Sequence, residues 1–321
     1  MNSVTFNCEI ITPMFLAGAD GKSPELRPSS IKGALRFWWR AMHGDLSITE
    51  LHAKESSVFG CGGEHATRSR ISIDVRPHTL PINQGLSEKK IDTPSPTLND
   101  PERTIRAQLF TYLAYGAHQR EYFKVGSQFS VTFRYHKLIS PENDFVIPFE
   151  LISFFGGLGA RGRNGFGSFK ILSCDDSNVK LHSDPKSILR KLNSGLPCGY
   201  TAFSEKSKLF KTTDHQVSWE KSLEVIGTAY IKEKRKLENA HTYDKRAFIA
   251  APIVQSDVLL WHKERHAKQY FLSVTRNVTG TYDGWILFLP YKHHKNTTTD
   301  NYGKATTEFN NGLKRHLIEL I

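Results

Sequence analysis

Apolar and polar residues alternate along "VTFNCEIITPMF", Val4 to Phe15, and a period of two predicts a strand with one buried face. The period then changes. "PSSIKGALRFWWRAMHG" places Pro28 and two candidate N-caps, Ser29 and Ser30, ahead of a helical run that stops near Gly44. On a wheel of about 100° per residue, Ile31, Ala34, Leu35, Trp38 and Met42 share a narrow sector, the core-facing stripe of an amphipathic helix. "ITELHAKESSVFG" predicts a second helix. "RISIDVR" and "QFSVTFRYH" predict strands, "FELISFFGGLG" the end of a helix, and "FGSFKILSC" another strand.

From residue 77 to 104 Pro, Ser, Asn, Asp and Gly follow one another without periodicity, which predicts a long insertion, mobile or ordered only by a partner. The order from Val4 to Cys174 is therefore strand, helix, strand, insertion, strand, helix, strand. That βαββαβ order is the plan of a ferredoxin-like domain and of an RNA recognition motif. Past Cys174, "DDSNVKLHSDP" reads as a linker, followed by a helical pattern from Trp219 to Glu238. "RAFIAAPIV", "KQYFLSVTRNV" and "GWILFLPYK" read as strands, and a terminal helix is expected around Asn310 to Leu320. The expectation is an α+β chain of two ferredoxin-like (RRM-like) domains packed together, residues 1–174 and 175–321, the second with its strands in altered order.

Charge changes the picture most. The chain has 43 basic and 32 acidic residues, a formal net charge of +11, which favours a polyanionic partner because Lys and Arg release condensed counterions from phosphates. No stretch approaches the roughly 20 apolar residues needed to cross a bilayer. "MNSVTFNCEI" has neither the basic start nor the apolar run of a signal peptide, so a cytoplasmic protein without a membrane partner is expected. Cys8, Cys61, Cys174 and Cys198 form no CxxC, and reduced thiols without structural zinc are expected.

"FFGGLGARGRNGFGSF", Phe154 to Phe169, has six glycines between Gly156 and Gly167. Gly157, Gly159 and Gly162 make a formal GxGxxG with Asp176 downstream, but a dinucleotide fingerprint needs a strand before it and a helix after it. Here the helix comes first and a β-like run follows. Some glycines serve tight turns. So many together are expected to bring bare backbone N–H groups close to a phosphodiester strand, at Gly157, Gly159, Gly162 and Gly165. Arg161 and Arg163 would supply charge, and Asn164 a donor and an acceptor. On the helix, Lys32, Arg36 and Arg40 recur every four residues beside the core stripe, spaced to follow a phosphate run; Trp39, on the border, would stack on a base. Lys22 and Arg27 lie where the chain enters that helix.

None of the fourteen histidines pairs in sequence with a nucleophile or carboxylate, and Cys61 with His65 makes two metal ligands at most. No catalytic residue, metal or cofactor is expected.

"ITPMFLAGADG" with "ELRPSSIKGALRFWWRAMHG", then "SSVFG", "YLAYG" and "GGLGARGRNGFGSF", resemble the RAMP superfamily of CRISPR-associated proteins. Within it they are most similar to the family of first-numbered subunits of Cmr (type III-B) RNA-targeting effector complexes. The resemblance covers Ile11 to Phe169 and, more loosely, Arg246 to Tyr291. It implies two ferredoxin-like domains and a non-catalytic subunit at the 3′ end of the guide RNA that helps capture target RNA, beside other Cmr subunits. It also carries the family's basic helix onto Lys32, Arg36 and Arg40, and its glycine loop onto Gly156 to Gly167 with Arg161 and Arg163. Two other readings stand beside it: a RAMP endoribonuclease that processes precursor guide RNA, and a clamp that touches only neighbouring proteins.

Overall fold

The computed structural model describes residues 2–64, 66–94, 104–192, 195, 198–237, 244–250, 268–291 and 299–321. The first half runs β1 (Asn2–Ile10), α1 (Pro28–Met42), α2 (Ile48–Phe59), β2 (Ile71–Thr79), β3 (Ile82–Gln84), β4 (Lys90–Pro94), β5 (Thr104–Gln108), α3 (Leu109–Leu113), β6 (Glu121–Phe123) and β7 (Gln128–Tyr135). A π-helical turn at Glu142–Val146 then enters α4 (Ile147–Phe155), which a glycine loop joins to β8 (Phe169–Cys174). The sheet order is β2-β7-β1-β8 with every neighbour antiparallel, the ferredoxin-like arrangement expected from the element order.

Alternation determines the core. Val4, Phe6, Cys8 and Ile10 of β1 and Phe129, Val131, Phe133 and Tyr135 of β7 are all buried. They meet Ile31, Leu35 and Trp38 of α1 and Phe149 and Ile152 of α4 in one cluster. Burying each such side chain contributes roughly 1.5–3 kcal/mol.

The second half continues with α5 (Pro185–Leu192), β9 (Lys208–Lys211), α6 (Trp219–Lys236), α7 (Asp244–Ala250), β10 (Tyr270–Arg276), β11 (Tyr282–Phe288), α8 (Thr299–Leu313) and β12 (Ile318–Glu319). Its sheet order is β10-β11-β9-β12, the same ferredoxin-like arrangement and not an altered one. β10 is buried on both faces from Tyr270 to Val274, which explains why its apolar residues do not alternate with exposed ones. Tyr270, Leu272 and Val274 join α6 in one core, whereas Phe271 joins Trp38 and Phe155 in the other. The Ser273 hydroxyl donates to the Phe154 carbonyl at 2.6 Å, so the second sheet packs directly on α4.

Three further expectations need correction. The described part of 77–104 is ordered: β2 extends to Thr79, β3 pairs with β6, and β4 pairs with β5. The side chain of Arg235, on α6, donates to Thr93 Oγ1 at 2.6 Å. "RAFIAAPIV" opens as helix α7, because a short apolar run without a period suits either state; residues 251–254 lie outside the described residues. The last helix ends at Leu313, and the tail turns back as β12 against β9. β9 and β12 themselves, four and two residues long, are too short to show a period.

Candidate nucleic-acid interface

Helix α1 begins with Pro28 in its first turn and with Arg27 extended at the N-cap, as the proline spacing requires. Ile31, Leu35, Trp38 and Trp39 turn inward. On an adjacent stripe, Gly33 and Phe37 stand four residues apart with Ala34 beside them, and these line a groove of about 470 Å³. Its opposite wall is the glycine loop, through Gly156, Gly157, Gly159, Arg161, Gly162, Arg163 and Asn164, and Lys268 and Phe271 complete it. The helix and the loop thus meet in one groove.

The loop is held by its own chain. Leu158 N–H donates to Gly167 O at 2.9 Å, Ala160 N–H to Phe15 O at 2.8 Å, and Gly167 N–H to Pro13 O at 2.9 Å. Leu272 N–H donates to Arg163 O at 3.1 Å, and Asn164 Nδ2 to Leu113 O at 2.7 Å. The glycine density therefore has an internal cause. A Cβ on Gly157 would stand 2.4 Å from Phe166 O, on Gly159 2.3 Å from Phe15 O, and on Gly162 2.7 Å from Gly157 O. Gly165 is buried with Leu223 2.4 Å from where its Cβ would be, and does not line the groove. Among the described residues, no carbonyl accepts from the N–H groups of Gly157, Gly159 or Gly162 on the groove wall.

The loop arginines differ. Arg161 is exposed and has φ +64°, the left-handed region, alone among described non-glycine residues. Arg163 lies with its guanidinium carbon 4.4 Å from the Phe37 ring centre and 5.1 Å from that of Phe271. Burial, with Arg40 nearby, lowers its pKa from the usual arginine value, yet an arginine stays charged. No carboxylate lines the groove.

The basic stripe of α1 faces elsewhere. Arg36 Nε and Arg40 Nη1 both donate to Glu55 Oε1 of α2 at 2.6 Å, a carboxylate that is only 5% exposed. Lys32 is half-buried, and desolvation together with Arg36 lowers its pKa. Arg27 lies 3.9 Å from Glu25, and Lys22 is exposed on the turn that Asp20 caps. None of these lines the groove. Trp39 is not a border aromatic: it is 2% exposed, donates Nε1 to Asp144, and stacks on His43 with ring centres 4.0 Å apart. Phe37 is the aromatic of α1 that the groove exposes, and its signal was its position four residues after Gly33. Lys268 and Phe271 arrive from more than 100 residues away, with no local signal.

A second cavity of about 490 Å³ lies between β8 and the ends of β9, β10 and β11. Several charged groups there are paired: His215 and Lys211 with Asp283, Arg276 with Glu9, and His182 with Glu150. His65, which with Cys61 would make two metal ligands at most, lies outside the described residues. Among the described residues no three His, Cys, Asp or Glu side chains gather as a metal site, and no helix is long and apolar enough to cross a membrane.

The RAMP superfamily profile matches residues 7–170. The CRISPR system Cmr subunit Cmr1-2 of Pyrococcus furiosus is 28% identical over 194 residues, covering 53% of this chain and 96% of that protein. Cmr1-1 of the same organism is 32% identical over 159 residues, 46% of this chain and 41% of that protein. Among solved structures, the crystal structure of Cmr1 from Pyrococcus furiosus in its apo form shares the fold with a TM-score of 0.60 at 20% identity, covering 99% of this chain and 98% of that one. A cryo-EM structure of type III-B Cmr-beta bound to cognate target RNA gives a TM-score of 0.53 at 13% identity, covering 96% and 99%.

Proposed function

The chain belongs to the RAMP superfamily, and from that premise we propose that it is a non-catalytic, RNA-binding subunit of a type III-B CRISPR (Cmr) ribonucleoprotein. In this reading it lies at the 3′ end of the guide RNA and helps to capture target RNA beside other Cmr subunits in the cytoplasm, with its two units dividing near residue 174. One observation carries the reading: Arg161, Arg163 and Lys268 line a groove of bare backbone and aromatic rings that has no carboxylate. Such a surface suits the phosphates and exposed bases of single-stranded or guide-paired RNA, which it would hold without reading sequence. The α1 stripe supports RNA at most from outside the groove, because Arg36 and Arg40 already share Glu55.

Ultraviolet crosslinking of the full chain to single-stranded RNA tests the reading. An RNA adduct on the peptide containing Phe37 is expected, with none traced to Trp39. A clamp that touches only proteins would give no adduct.

Gly33 supplies a second test. It stands inside α1, where glycine is about 1 kcal/mol less favourable than alanine. A Cβ there would meet nothing within 4 Å, so packing does not require the glycine. Gly33→Ala should raise stability by about 1 kcal/mol and weaken RNA binding several-fold by narrowing the groove. Thermal melts and fluorescence anisotropy read the two effects; undiminished binding would show that no strand reaches this helix.

A further inference from the structure

We propose that Lys268 is a phosphate ligand at the inner end of the groove, and that a strand phosphate there supplies the counter-charge that its partly buried cation cluster lacks. The inference rests on reading the groove as an RNA site and adds to it a named, desolvated contact.

The geometry is that of a cation hydrogen-bonded to neutral oxygens and set beside further cations. Lys268 lines the groove, and its Nζ donates to Arg163 O at 2.9 Å and to Asn164 Oδ1. The same Nζ stands 4.9 Å from the Tyr230 ring centre. Lys234, on α6 and 8% exposed, has its Nζ 5.6 Å from that ring centre and bonds the Tyr112 hydroxyl. The loop presents Arg161 and Arg163 to Lys268, α6 presents Lys234 and Tyr230, and α3 reaches Lys234 through Tyr112. None of these is a carboxylate, and neither lysine makes an ion pair among the described residues. Buried charge without a partner is costly, and the usual relief is loss of the proton or arrival of a counter-ion.

Burial first, then Lys234, Arg163 and Arg161, hold the Lys268 ammonium well below the ordinary lysine range. A phosphate beside it would raise that pKa again. The sign follows: above the free-state pKa of Lys268, binding takes up a proton and affinity falls as pH rises, by at most about tenfold per pH unit for one linked proton. Below that pKa the amine is already charged, and no uptake occurs. A lysine that merely pins the loop to β10 would show neither effect.

The test is isothermal titration of the full chain with a single-stranded oligoribonucleotide bearing hydroxyl ends, from pH 6.5 to 9, in two buffers of different ionisation enthalpy. The wild type should take up as much as about one proton. Lys268→Met should bind about tenfold more weakly or worse and lose that uptake. Lys268→Arg, charged at every pH used, should also lose the uptake, and it carries the test if the methionine variant fails to fold. The same oligonucleotide with a terminal phosphate identifies the source. Equal uptake assigns an internal phosphodiester, and uptake only with the added group assigns a strand end. Wild-type uptake retained in either variant overturns the proposal while leaving the groove reading intact. Failure of the wild type to bind RNA removes both.

Discussion

Arg161→Ala combined with Arg163→Met is expected to weaken single-stranded RNA binding by about a hundredfold or more, since hydrogen bonds to charged groups contribute roughly 1.5–3 kcal/mol each. It should also flatten the plot of log affinity against log salt by about 0.7 to 1.4, one to two single-strand phosphates. The loss should be alike across RNA sequences, because phosphate contacts carry no base information. Methionine at 163 keeps volume between the Phe37 and Phe271 rings, so the groove wall is not simply emptied. Arg161 permits a cleaner separation. Its left-handed backbone, φ +64°, costs roughly 1–2 kcal/mol for a residue with a Cβ. Arg161→Gly should therefore stabilise the fold by about 1 kcal/mol while still weakening RNA binding. An unchanged salt slope in the double variant would remove the loop from the interface.

Gly167→Ala is expected to lower stability by about 2–5 kcal/mol, combining the left-handed penalty with overpacking against backbone. Its Cβ would stand 2.1 Å from Leu158 O at a residue with φ +71°, where neither partner is a side chain able to move away. Against a typical domain stability of roughly 5–15 kcal/mol, that is a large part of the total. Gly85→Ala is the control: φ is +78°, but a Cβ there meets nothing within 4 Å, so only the conformational penalty of roughly 1–2 kcal/mol applies. Denaturant melts would compare the two. Equal losses would show that the loop tolerates a Cβ, and that its glycines have some cause other than self-packing.

That second experiment bears on a reading made from sequence. Six glycines beside two arginines suggested backbone laid bare for a ligand. Instead, most of them let the loop fold against itself, against Phe15 and against α6, and the N–H groups of the groove wall without a carbonyl partner among the described residues are a by-product of that packing. Density of glycine reports close approach, but not what approaches. The same limit applied to charge. Lys32, Arg36 and Arg40 do form a stripe, as their spacing of four requires, but the stripe faces α2, where Glu55 takes two of them. Glu55 comes 15 and 19 residues after its partners, beyond any helical window.

The sequence by itself determined the order of the four sheet strands and the two helices packed on them in the first half, the inward stripe of α1, and the position of a glycine loop between a helix and a strand. Those follow from periods of two and 3.6 and from backbone restrictions, which act between residues a few positions apart. Tertiary structure alone decided that Phe37 and not Trp39 faces the groove, that Lys268 and Phe271 complete it, and that β9 and β12 give the second sheet the same order as the first. The physical reason is that counter-charges, ring faces and edge strands are supplied through space. Whether a cation is neutralised or left facing solvent depends on which distant segment the fold lays against it.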